Sequence, residues 1–195
     1  MRQRQARATS TPARSAGARR AGAFALGYVA AFSMPLQVVP ANAAGDKASA
    51  QMTGADGKEI GTVEFEETLA GVLITVRLKS LPPGPHGFHI HDIGRCEPPF
   101  ASSGKVLNPL NAKHGLRHEE GPAMGNMPNL YVAANGEVTA EVLNPFVTLA
   151  PDADGSLVRE SGTAIIVRSN ADDHKTQPDG SSGAPIACGV IKKAP

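Results

Sequence analysis

His89 and His91 are the residues whose type and spacing point most directly to chemistry. They stand two apart in the run GPHGFHIH, residues 84–91, and on a β-strand that spacing turns both imidazoles to one face while Phe88 and Ile90 take the other. Two imidazoles on one face can grip a single metal ion, for which neutral histidine is the commonest protein ligand. More donors follow in His114, His118, Glu119, Glu120 and Met124. Met124 with a histidine pair suits Cu(I), a soft ion that tolerates two or three ligands. So scattered a set reads more simply as a solvated polar loop, and His174 and Lys175 read as exposed.

The elements that must hold these side chains are strands. Hydrophobicity alternates with period two over residues 59–67 (EIGTVEFEE) and 72–81 (VLITVRLKSL), and two short runs over 131–142 flank Asn135-Gly136, the strongest short hairpin signal. Thr163–Val167 (TAIIV) and Ile186–Ile191 (IACGVI) supply two more strand-like runs. No segment has the period of an amphipathic helix. With 21 glycines and 16 prolines punctuating short strands, the pattern predicts an all-β sandwich or barrel. Two stretches without pattern, 92–129 and 169–184, are long enough to be functional loops.

Charge divides the 195-residue chain in two. Residues 1–43 hold six arginines and no acid, so the rest carries 13 basic against 18 acidic groups, a net −5 behind a formal total of +1. An acidic body argues against nucleic-acid binding, which wants clustered Lys and Arg. The leader joins an arginine-rich start to an apolar stretch, Ala21–Val39, and a small-residue exit at Ala41-Asn42-Ala43, the form of an export signal peptide cleaved near Ala43. Ser33, Pro35 and Gln37 interrupt the apolar run, leaving it short of the roughly 20 residues that span hydrocarbon. A periplasmic or extracellular destination, and no membrane span in the mature chain, are the expectation. In an oxidising compartment Cys96 and Cys188 are expected to form one long-range disulfide, the alternative being two unpaired buried thiols.

The histidine pair, Cys96, the Gly/Pro/Asn-rich loop after it and the closing IACGVI together resemble the copper/zinc superoxide dismutase family, in particular its bacterial exported branch. The resemblance runs from about Ala48 to Ile191 through GFHIHDIGRCEPP, NPLNAKHGL, GNMPNLYV and Ala171-Asp172-Asp173, so that residues 44–195 form the dismutase-like domain. It implies an eight-stranded Greek-key β-barrel with a copper and a zinc held beneath two long loops. It also implies a Cys96–Cys188 disulfide and a backbone-bonding role for His86. Asp172 matches the aspartate that orients one copper and one zinc histidine, here His89 and His114. A pairing of Asp172 with Arg168 is the favoured expectation, because an arginine at a half-buried former metal site needs a carboxylate.

Position by position, the resemblance implies that much of the metal site is gone. His89 and His91 stand at copper positions and His114 at a zinc position. Val106 falls where the family has its metal-bridging histidine, Ala123 and Asn126 where zinc ligands belong, Arg168 at the last copper histidine, and Pro185 at the arginine that guides superoxide. A zinc site normally needs four ligands in tetrahedral array. A guanidinium has no lone pair to give and repels a nearby cation. The sequence therefore predicts an exported dismutase-like protein without dismutase activity, serving as a binding module or holding at most one weakly bound copper, with zinc excluded. A dismutase with a copper-only or rebuilt site is the alternative. An unidentified protein partner, and a monomeric or homodimeric state, are compatible with the chain.

Overall fold

The computed structural model describes residues 45–194, whose regular structure is almost wholly β. The strands are β1 (Lys47–Gly54), β2 (Glu59–Thr68), β3 (Gly71–Leu78), β4 (Gly84–His86), β5 (Phe88–His91), β6 (Leu130–Val132), β7 (Val138–Asn144), β8 (Thr163–Arg168) and β9 (Pro185–Lys193). One 3-10 turn, Ala101–Ser103, interrupts the loops. Among the described residues no helix is long and apolar enough to cross a membrane. The proposed leader, 1–43, lies outside the described residues.

Seven strands pair in the order β5-β8-β9-β1-β2-β3-β7, and β4 pairs with β6. Because β4 and β5 are two halves of one run parted at Gly87, the nine segments make eight strands, as expected for this barrel. The broken strand passes from one sheet to the other, with His86 opposite Leu130 of β6 and Phe88 opposite Val167 of β8. β6 runs into β7 through a turn at Asn135-Gly136, where Gly136 takes φ 80° and Ala133 N–H bonds the Glu137 carbonyl. Only glycine enters that left-handed region at no steric cost.

Alternation is what drives the ring shut. In β2 and β3 the inward residues Val63, Phe65, Val72, Ile74 and Val76 are buried while Glu64, Glu66 and Arg77 are exposed. Each fully buried large side chain of this kind contributes about 1.5–3 kcal/mol. β1 alternates equally well, burying Ala48, Ala50 and Met52, although its Ala/Ser/Met composition gave no strand signal. A third irregular stretch, 145–162, joins the two foreseen loops.

β5 departs from simple alternation, since all four of its residues are buried. Phe88 and Ile90 join the core as expected, and the loops cover the histidine face. Backbone segments at Val106 and Asn126 lie along β5 as isolated bridges to His91 and His89. The Cys96–Cys188 disulfide, closing a separation of 92 residues, ties the start of the first loop to β9.

Candidate metal centre

Asp172 is the hub of the site. Its side chain is buried, and Oδ2 lies 2.7 Å from His89 Nε2 and 2.8 Å from His114 Nε2. An ionised carboxylate only accepts, so both imidazoles carry their proton on Nε2 and keep the Nδ1 lone pair. Oδ1 accepts the His174 backbone N–H at 2.6 Å. Burial pushes the Asp172 carboxyl up, but the bonds from His114, His89 and His174 outweigh it and hold it well below the usual range. Asn129 fixes the backbone of Asp172 with a bond in each direction, of 2.8 and 2.9 Å. Gly180 backs onto the carboxylate at φ 65°, where a Cβ would meet Asp172 Oδ1 at 1.7 Å, so the close approach requires glycine.

His91 is oriented by a different partner. Ser103 Oγ lies 3.0 Å from His91 Nδ1 and 2.8 Å from the Phe100 carbonyl. The hydroxyl has one proton, which goes to the carbonyl, so His91 donates from Nδ1 and its Nε2 carries the lone pair. His89 Nδ1 and His91 Nε2 are thus buried acceptors, and neither finds a hydrogen-bond partner; His174 Nδ1 is also without one among the described residues, but it faces Asp172 Oδ1 at 3.7 Å while Nε2 accepts from Asn129. Both rings are held neutral. Burial drives His91 down to about 3, with the charges of His89 and Arg168 adding to it. Burial lowers His89 as well, against the opposing pull of Asp172.

On the other side of Asp172, the arrangement is closed. Asn126 donates from Nδ2 to His114 Nδ1 at 2.9 Å, and its Oδ1 accepts the backbone N–H of Gly115 at 2.9 Å and of Ala123 at 3.0 Å. Gln177 clamps the His114 backbone, accepting its N–H and donating to its carbonyl, each at 2.9 Å. Every nitrogen of His114 is therefore engaged. His89, His114 and Asp172 also form the one cluster of three potential ligands among the described residues, but their facing atoms are joined by N–H protons.

Arg168 corrects the favoured pairing. Its Nη2 bonds Asp179 in a salt bridge and its Nε donates to Ser182 at 3.1 Å, while Asp172 serves the two histidines instead. Asp172 was unavailable because two imidazole N–H groups already occupy Oδ2, and Asp179 reaches the guanidinium from the second long loop. Burial lowers the Arg168 pKa, opposed by Asp179 and Asp172. Pro185 faces Arg168 across the β8–β9 ladder. His91, Val106, His114, Ala123 and Arg168 all line one open cavity of about 690 Å³. The remaining candidates disperse. His118 only accepts the Glu120 N–H at 3.1 Å, Met124 packs against the core, and His174 proves buried, its N–H held by Asp172, rather than exposed. His86 faces the carbonyls of Arg168 and Pro82, the backbone role expected of it.

A family model described as copper/zinc superoxide dismutase matches residues 59–191. The chain belongs to the copper/zinc superoxide dismutase family. It is 47% identical over 148 residues to superoxide dismutase [Cu-Zn] 2 of Aquifex aeolicus (strain VF5), an alignment covering 75% of this chain and 86% of that one. Among solved structures it is similar to a double variant of a superoxide dismutase-like protein from Bacillus subtilis, in which a tyrosine and a proline are each replaced by histidine. That match has 38% identity and a TM-score of 0.71 and covers 73% of this chain and 95% of that one. The Cu/Zn superoxide dismutase of Brucella abortus matches at 30% identity and a TM-score of 0.61, over 75% of this chain and 99% of that one.

Membership in the dismutase family raises copper and zinc, and the donor sets answer differently. Copper is fitted in part, by the unpartnered His89 Nδ1 and His91 Nε2. Zinc is not fitted. His114 Nδ1 already accepts a proton from Asn126, and the neighbouring loop position is Ala123. Ser103, Asp179 and Gln177 were missed from the sequence because each acts across a long separation that no local pattern marks.

Proposed function

We propose that this is an exported member of the dismutase family that does not dismutate superoxide and holds a single copper ion through His89 Nδ1 and His91 Nε2. The observation that carries the reading is that these two buried nitrogens carry lone pairs and have no hydrogen-bond partner. A buried acceptor left unpaired costs about 1–3 kcal/mol, and a metal ion relieves that cost at both atoms. Copper would be held there by two imidazoles that the chain's own residues orient: Asp172 acts on His89, and Ser103 acts on His91.

The loss of turnover follows from the remaining positions. Val106 offers no nitrogen to carry a proton beside copper, Arg168 places a cation where a donor belongs, and Pro185 adds no guiding charge for an anion. The Cys96–Cys188 disulfide favours export, since such bonds persist in oxidising compartments. The acidic body disfavours nucleic acid as a partner.

The test is copper content after dialysis, together with superoxide consumption by the copper-loaded protein. One copper per chain, no zinc, and a rate no higher than that of free copper are expected. A family-like rate, or one copper and one zinc per chain, would return the protein to the dismutases.

A further inference from the structure

Two open nitrogens also determine which copper the site takes. We infer that the His89–His91 pair selects monovalent Cu(I) over Cu(II) and Zn(II), and keeps it as exchangeable cargo rather than as a cycling redox centre. This rests on the copper reading above.

Donor number comes first. His89 Nδ1 and His91 Nε2 supply two ligands, and the cavity wall beside them at Val106 and Ala123 is hydrocarbon. Two neutral imidazoles suffice for Cu(I), which is stable at two-coordination, whereas Cu(II) seeks a four-donor tetragonal N/O set and Zn(II) a four-donor tetrahedral one.

Donor charge points the same way. Both imidazoles are neutral, so the ligands cancel none of the ion's charge. Asp172 is committed through Oδ2 to the N–H groups of His89 and His114 and through Oδ1 to that of His174. Cys96 and Cys188 are joined to each other. Of the carboxylates lining the cavity, Asp179 pairs with Arg168, and Asp92 Oδ1 accepts the Lys105 N–H at 2.9 Å. The cost of moving an ion out of water grows as the square of its charge, so a divalent ion is penalised about four times as heavily as a monovalent one.

Arg168 adds discrimination. Its positive charge, partly offset by the paired Asp179, reaches both His89 and His91, and the repulsion that remains scales with the charge of a bound ion, so it opposes Cu(II) twice as strongly as Cu(I). Finally, His91 lines a cavity of about 690 Å³, which leaves room for a soft donor from outside to join a two-coordinate ion and withdraw it.

The purified protein is titrated anaerobically with Cu(I) against bicinchoninate, and separately with Cu(II) against glycine and with Zn(II). One Cu(I) per chain is expected, bound about a hundredfold or more tighter than Cu(II), with an X-ray absorption edge of two-coordinate nitrogen ligation. Arg168→Gln is expected to tighten Cu(II) about tenfold more than Cu(I), the effect of one partly screened unit charge. His91→Gln, a milder change than His89→Ala, should abolish binding while circular dichroism reports an unchanged fold. Cu(II) bound as tightly as Cu(I) overturns the selectivity, and an unchanged ratio in Arg168→Gln overturns the role of that residue. Failure to bind either ion overturns the copper reading itself, a result distinct from the other two.

Discussion

Replacing Asn126 by alanine is expected to cost about 3–5 kcal/mol of stability, and added zinc is expected to restore none of it. The side chain is buried and makes three hydrogen bonds, at 2.9 Å to His114 Nδ1, 2.9 Å from Gly115 N–H and 3.0 Å from Ala123 N–H. Each buried group left without a partner costs about 1–3 kcal/mol, and water entering the space vacated by the amide keeps the total toward the lower end of the sum. For a domain of this size each kcal/mol moves the midpoint by about 2–4 °C, so the variant should melt about 10 °C lower. Asn126→Asp keeps the two acceptor bonds and loses only the donor to His114, so it should fall between the variant and the parent. The assay is thermal unfolding followed by circular dichroism, with a chelator and with equimolar zinc. A parent protein whose midpoint climbs on adding zinc, or an alanine variant within 2 °C of it, would show that the amide does not organise this loop.

Two further expectations concern acid and redox conditions. His91 is held neutral down to about 3 in the fold, against an ordinary value near 6.5. Its contribution to stability is therefore complete above pH 6.5 and shrinks as the pH falls toward 3, by about 2 kcal/mol between pH 6.5 and pH 5; His89, also lowered, acts in the same direction. Urea midpoints across that range should slope accordingly and flatten in His91→Gln, and a pH-independent parent would contradict the burial of a neutral ring. Removing the disulfide with Cys96→Ala/Cys188→Ala opens a loop of 92 residues' separation and should cost about 4–5 kcal/mol on the chain-entropy account, measurable as a lower midpoint than the parent in oxidising buffer and a gap that closes once a reductant cleaves the parent's bond.

Period-two runs made β2 and β3 legible and Asn135-Gly136 the β6–β7 hairpin, because half-buried strands print their alternation on the sequence, while β8 and β9 showed as short apolar, β-branched runs. β1 escaped because alanine, serine and methionine carry little β signal; its burial is decided by the neighbours β2 and β9. The site was legible wherever two residues share a local frame, as His89 and His91 do on β5. It was not legible where long loops choose partners. Arg168 could be foreseen to need a carboxylate, but which one depended on Asp172 having both oxygens occupied and on Asp179 being brought over by residues 169–184. The cover that loops lay over the outer face of β5 is not written in GPHGFHIH itself and was legible only through the family resemblance, which implies two long loops over the site.

On the proposed reading, the two halves of the site depart from the family pattern by opposite physical routes. At the zinc half, an amide offers a donor to His114 and an acceptor to two backbone N–H groups, so the polar demands of the loop are met from within and no ion is needed to hold it. At the copper half, Val106 and Arg168 line the cavity beside His91, and two buried lone pairs remain without a partner. Buried acceptors of that kind are costly and are usually satisfied by a protein group, a water or an ion. Asp172 links the halves through one oxygen, bonding His114 on the closed side and His89 on the open side. The internal plug at Asn126 therefore holds His114, His114 helps hold Asp172, and Asp172 fixes the tautomer that leaves His89 Nδ1 free. If the proposed function holds, a loop without zinc and a copper-holding histidine pair are one arrangement, in which Asn126 does the orienting that an ion would otherwise do.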